Sequence, residues 1–144
     1  MISQNEIELL KSYQEKLIQA IGYLEYSYQK VLKLPTQFAK LDQETLETWE
    51  SFSARFSRVA DLFLSKYVRL YIDMYEPGFR GTMIDFINQA EKMRLLHDAN
   101  TWIEIRKLRN ATAHEYSDQA FDDYVQKILF LAPKLLELKA IITP

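Results

Sequence analysis

Two long apolar stripes at helical spacing set what this chain can fold into. Between residues 5 and 33, Ile7, Leu10, Leu17, Ile21, Leu24, Tyr28 and Val31 recur mostly at steps of three and four. With about 3.6 residues per turn, that spacing places them on one face of a helix. Gln14 interrupts the stripe, and Gly22 weakens the backbone by about 1 kcal/mol relative to alanine. Between 43 and 75 the pattern returns through Leu46, Trp49, Phe56, Ala60, Phe63, Tyr67 and Leu70, while Arg55, Arg58, Lys66 and Arg69 lie off the stripe. Pro35 ends the first helix and Asp42 is a suitable N-cap for the second. Long helices joined by a short link pack antiparallel. The chain is therefore predicted to be all-α, an antiparallel up-and-down helical bundle with two long helices plus shorter ones.

The rest of the chain supplies the shorter helices. Residues 76–81, with Pro77, Gly78 and Gly81, break the second stripe. Thr82 and Asp85 resemble a capping box that opens a third helix, with Phe86, Ile87, Ala90 and Met93 inward and an end near Leu96. Residues 97–100 form the next loop. Thr101 and Glu104 read as a cleaner capping box for a fourth helix that turns Trp102, Ile105 and Leu108 inward. Ser117 and Asp118 are suited to cap a last helix bearing Phe121, Val125, Ile128, Ala132, Leu135 and Leu138. Pro133 inside it removes a hydrogen bond to the Leu129 carbonyl and predicts a kink. Period-two alternation is absent, as are internal repeats and low-complexity tracts. Residues 1–144 read as a single domain.

Composition excludes several function classes. With no Cys there is no disulfide frame, thiolate nucleophile or Cys-based zinc site. A net charge of −2 argues against wrapping nucleic acid by bulk electrostatics. Any such contact needs a local basic patch, and Arg94, Arg106, Lys107, Arg109 and His114 supply one, partly offset by Glu91 and Glu104. The alternative is a solvated helix face. No run reaches the roughly 18 apolar residues of a membrane helix, and the first ten residues do not read as a signal peptide. A cytoplasmic location is expected.

The most specific segment is Arg109-Asn110-Ala111-Thr112-Ala113-His114-Glu115-Tyr116. Arginine's planar fork grips phosphate bidentately, and histidine exchanges protons near neutrality. The pair is a minimal kit for handling a phosphodiester or nucleotide without a metal. Basic residues in the last turn of a helix are the plainer explanation. On one straight helix, residues five apart point about 140° away from each other. So either the helix ends between Arg109 and His114, or two protomers each contribute part of the site.

The segment resembles the Arg-polar-x-x-x-His motif of the HEPN superfamily. It is closest to the Arg-x4-His-x-Tyr form of the HepT-like branch, whose members are encoded beside a minimal nucleotidyltransferase (MNT). Asn110 matches the polar position and Tyr116 the terminal Tyr, and the chain's length and helical pattern suit one such domain. The resemblance implies a HEPN-like bundle and a homodimer whose motifs meet across the interface. It also implies a toxin of a toxin–antitoxin pair, acting as a metal-independent endoribonuclease and neutralised by the MNT partner.

In that reading His114 is the general base or acid and Arg109 stabilises the phosphate's developing charge. Asn110 and Arg106 contact RNA or nucleotide, and the RNA 2′-hydroxyl is the internal nucleophile. The resemblance further makes Tyr116 the acceptor of AMP from the MNT partner. No metal or other cofactor is expected. A non-catalytic nucleotide- or substrate-binding subunit of that nucleotidyltransferase would use the same residues, and the sequence leaves the two open. So is a third reading, a plain helical scaffold whose Arg and His are structural. His97 reads as a cationic helix end, in preference to a metal ligand with Asp98 and His114.

Overall fold

A computed structural model of the chain describes residues 1–109 and 118–142. These residues are helical with no strand, so the chain is an all-α helical bundle. Helix α1 spans Gln4–Val31. A 3-10 turn, Phe38–Lys40, leads into α2, Gln43–Asp61. The chain continues through a π-helical segment, Leu62–Val68, into α3, Arg69–Tyr75, so the second stripe is one long rod. Then come α4, Met83–Lys92, α5, Ala99–Leu108, α6, Asp118–Leu136, and the short α7, Leu138–Ile142.

Local chemistry explains most boundaries. Ser3 and Glu6 form a reciprocal capping box at the start of α1. The Asp42 side chain accepts the Thr45 N–H at 2.8 Å, and Thr82 with Asp85 closes the box that opens α4. Two expected boundaries move. Helix α4 stops at Lys92 instead of near Leu96, and the chain turns back at Arg94 with φ 61°. Helix α5 is capped by Asp98, not Thr101. The Thr101 hydroxyl donates to the Asp98 carboxylate, and the Ala99 N–H donates to Glu91 Oε2 at 2.8 Å. The Asp98 side chain also accepts the Thr101 N–H at 3.5 Å, so Asp98 and Glu91 each take a backbone donor that the first turn leaves open. Asp98 sits at φ 60°, a left-handed conformation that Asp tolerates better than most residues.

α1 and α2 lie antiparallel. Arg55 of α2 reaches Ser27 of α1, while Trp49, nearer the start of α2, donates to the Pro35 carbonyl just beyond α1. Leu17, Leu24, Trp49, Phe52, Phe56, Phe63, Trp102 and Phe121 are fully buried in a continuous core reached by every long helix. All six expected core residues of the last helix, from Phe121 to Leu138, are buried. Ile7, expected inward, is 47% exposed because the first turns of α1 project beyond the core. Past the π segment the buried side chains are Ile72 and Met74, with Leu70 only half-buried. The i→i+5 bonding of a π turn accommodates an extra residue and shifts the register set by 3.6-residue spacing. Pro133 lies within α6, which continues to Leu136.

Candidate functional site

The site is built where α5 packs against α2, α4 and α6. Trp102, Ile105 and Leu108 form the buried underside of α5, and Trp102 packs on Phe63 with ring centroids 4.8 Å apart. Docking that face leaves the positions following Ile105 and Leu108 at its edge. They are Arg106 and Arg109, both half-buried. Regular α5 ends at Leu108, and Arg109 is its C-cap, with an N–H that still bonds back to the Ile105 carbonyl.

Arg109 is held from across the fold. Its Nη1 donates to Oδ1 of Asp61 at 2.6 Å, an ion pair between the end of α5 and the end of α2. Ser65, in the π segment, donates to the same Asp61 oxygen at 3.0 Å. The Arg109 side chain is 24% exposed and that of Asp61 43%. The Nε of Arg109 is buried and has no hydrogen-bond partner among the described residues. A buried unsatisfied donor on a cation costs more than a neutral one, on the order of 1–3 kcal/mol or above. An acceptor brought to that edge would therefore gain more than one meeting a solvated arginine.

Arg106 lies one turn before Arg109 on α5, so the two guanidinium groups are neighbours. Burial pushes the Arg106 guanidinium below the usual arginine range, Arg109 adds to that effect, and Asp61 opposes it. Among the described residues two cations face one carboxylate, a local excess of positive charge. An added anion would relieve their repulsion.

Of the residues expected at the site, Arg106 and Arg109 are brought together at the end of α5. Asn110, His114 and Tyr116 lie outside the described residues, as does Ser117. The expected helix capped by Ser117 or Asp118 is present as α6, which begins at Asp118. His97 is exposed in the link between α4 and α5, five residues past the last residue of α4, so it does not sit at that helix end. Among the described residues no three His, Asp or Glu side chains converge as metal ligands. No helix among them is long and apolar enough to cross a membrane.

Asp61 and Ser65 were missed by the sequence reading. The signal available was weak: a carboxylate and a hydroxyl four residues apart within a mostly apolar run. Two roomy cavities lie elsewhere. One of about 520 Å3 sits between the end of α1 and the start of α2, and one of about 580 Å3 between α1 and the α6–α7 end. Neither is walled by Arg106, Arg109 or Asp61.

No protein-family model, curated protein or solved structure matches this chain.

Proposed function

We propose that the chain is a HEPN-like toxin of the HepT kind, a metal-independent endoribonuclease neutralised by an MNT nucleotidyltransferase partner. The observation that carries this reading is Arg109 itself. It opens the Arg-x4-His-x-Tyr segment, stands at the end of α5 beside Arg106, and is held by Asp61, with its Nε unpartnered among the described residues. In this mechanism His114 takes the proton of an RNA 2′-hydroxyl, whose oxygen attacks the adjoining phosphorus. The 5′-oxygen leaves as the P–O bond breaks and acquires a proton, giving a 2′,3′-cyclic phosphate. Arg109 stabilises the added charge of the pentacovalent state, while Asn110 and Arg106 orient the RNA. The active unit is a homodimer with the motifs of both chains along one cleft, in the cytoplasm. AMP placed on Tyr116 by the partner adds bulk and negative charge beside His114 and repels RNA.

A second reading fits the same contact. Nη1 of Arg109 is already committed to Asp61 in the isolated chain, which suits a non-catalytic nucleotide-binding subunit of the nucleotidyltransferase as well as it suits an enzyme. Expression of wild type and His114→Ala, each with and without the partner, separates the two. The ribonuclease reading expects growth arrest and RNA breakdown from wild type alone, both lost in His114→Ala and both suppressed by the partner. Intact RNA in all four cultures refutes it. Persistence of cleavage by the purified protein in EDTA tests the metal-free chemistry.

A further inference from the structure

The groove between α1 and α2 carries a second concentration of cations that the motif does not use. Two small cavities there have Arg55 in common. One of about 240 Å3 is walled by Ala20, Tyr23, Arg55 and Arg58. The other, of about 220 Å3, has Arg55 again with Lys30, Tyr26 and the single carboxylate Glu47. Arg55 is fixed in place. Its Nη1 donates to Ser27 Oγ at 2.7 Å and to the Tyr23 carbonyl at 3.0 Å, and its guanidinium carbon lies 5.7 Å from the Tyr23 ring centroid. Lys30 stands 5.8 Å from the Tyr26 ring in the same manner. No ion pair joins Arg55, Arg58 or Lys30 to a carboxylate among the described residues.

We infer that this groove is a binding track for single-stranded RNA, gripped by Arg55 and Arg58 and stacked on Tyr23 and Tyr26. Rings that are 49% and 64% exposed, each beside a cation, are what a sequence-tolerant single-strand site needs, because every base presents a flat face. A duplex keeps those faces stacked inside and offers only its backbone and groove edges. Arg55 and Arg58 are three residues apart on α2, about 4.5 Å along the helix and about 60° around it, so both can reach one strand's backbone. Tyr26 and Lys30 also wall the neighbouring cavity, where Glu25, Asp42 and Glu44 stand against Lys30 and Lys33 and the positive excess ends. The inference takes its occupant from the ribonuclease reading, but not the chemistry at His114.

The test uses a 2′-O-methyl oligoribonucleotide, which lacks the free 2′-hydroxyl and reports binding without cleavage. Its Kd is measured against the full-length protein over a salt series by fluorescence anisotropy. Arg55→Ala/Arg58→Ala should weaken binding at least tenfold at low salt. It should also flatten the slope of log K against log salt by about 1.4, because each single-strand phosphate contact contributes about 0.7. Tyr23→Ala should weaken binding with little change in slope. Arg58→Glu, at an exposed position, covers the case in which loss of Arg55 unfolds the chain, and circular dichroism monitors folding throughout. No binding by wild type, or an unchanged Kd and slope in Arg58→Glu, overturns the track. Binding that depends on these residues, with no cleavage of unmodified RNA, leaves the track standing and removes the ribonuclease reading. Cleavage that ignores Arg55 and Arg58 does the reverse.

Discussion

Arg109 at the end of α5 and Asp61 at the end of α2 are joined Nη1 to Oδ1 at 2.6 Å, across 48 residues of sequence. Both side chains keep contact with solvent, so screening limits the pair to roughly 0.5–1 kcal/mol. Its larger effect is on orientation, since it fixes one end of a flexible side chain whose buried Nε has no acceptor among the described residues. Asp61→Ala should therefore lower the melting temperature only slightly while reducing RNA cleavage or nucleotide binding several-fold. A loss of stability far above 1 kcal/mol in chemical denaturation would show that Asp61 serves the fold instead.

Arg109→Lys should damage function almost as much as Arg109→Ala. Lysine keeps the charge but loses the planar fork, so it cannot hold Asp61 with one nitrogen and an oxyanion with others. Recovery of most activity in the Lys variant, read as kcat/KM on RNA, would reduce Arg109 to a diffuse positive field.

Gly22→Ala should stabilise the protein. Gly22 lies inside α1 with nothing within 4 Å of an added Cβ. Alanine gains about 0.5–1 kcal/mol from helix propensity and a less disordered unfolded chain. For a chain of this size that raises the melting temperature by about 2–4 °C. A fall would mean that the groove beside Gly22 is filled by something that a methyl group displaces.

Asp98 should reveal itself through acid. Its carboxyl is held below the usual carboxylate range, chiefly by the Thr101 hydroxyl and then by the Thr101 N–H. A group with a depressed folded pKa contributes stability above its unfolded value, near pH 3.9, and loses it as pH falls through the folded one. Asp98→Asn keeps a cap and tolerates φ 60°. It should be less stable than wild type at pH 7, with the gap narrowing as the pH falls through the acid range. Asp98→Ala should melt lower than the Asn variant throughout. Parallel melting curves for wild type and Asn across pH 3–7 would rule out the charge as the source.

Tyr116→Phe should leave the chain folded and, under the ribonuclease reading, toxic, yet resistant to the nucleotidyltransferase. Phenylalanine keeps the ring but removes the oxygen that would accept AMP. Co-expression with the partner and intact-mass measurement read both halves. An AMP mass shift that persists in the variant would remove Tyr116 from the mechanism.

The helices, most of their caps and the core face of the last one were legible in the sequence. Those features are local. Asp42 and Thr82 cap within three residues of themselves, and a 3.6-residue stripe from Phe121 to Leu138 defines a buried face wherever it docks. Arg109 was legible as a candidate by the same local logic, through its spacing from His114 and Tyr116. Tertiary structure decided the rest. Periodicity marks that a face is buried but not what it meets, so neither the register shift that buries Ile72 nor the Glu91–Ala99 bond that helps place α5 could be read from spacing. Nor could Asp61, which becomes part of the site only because packing Trp102 on Phe63 brings the end of α5 over the end of α2.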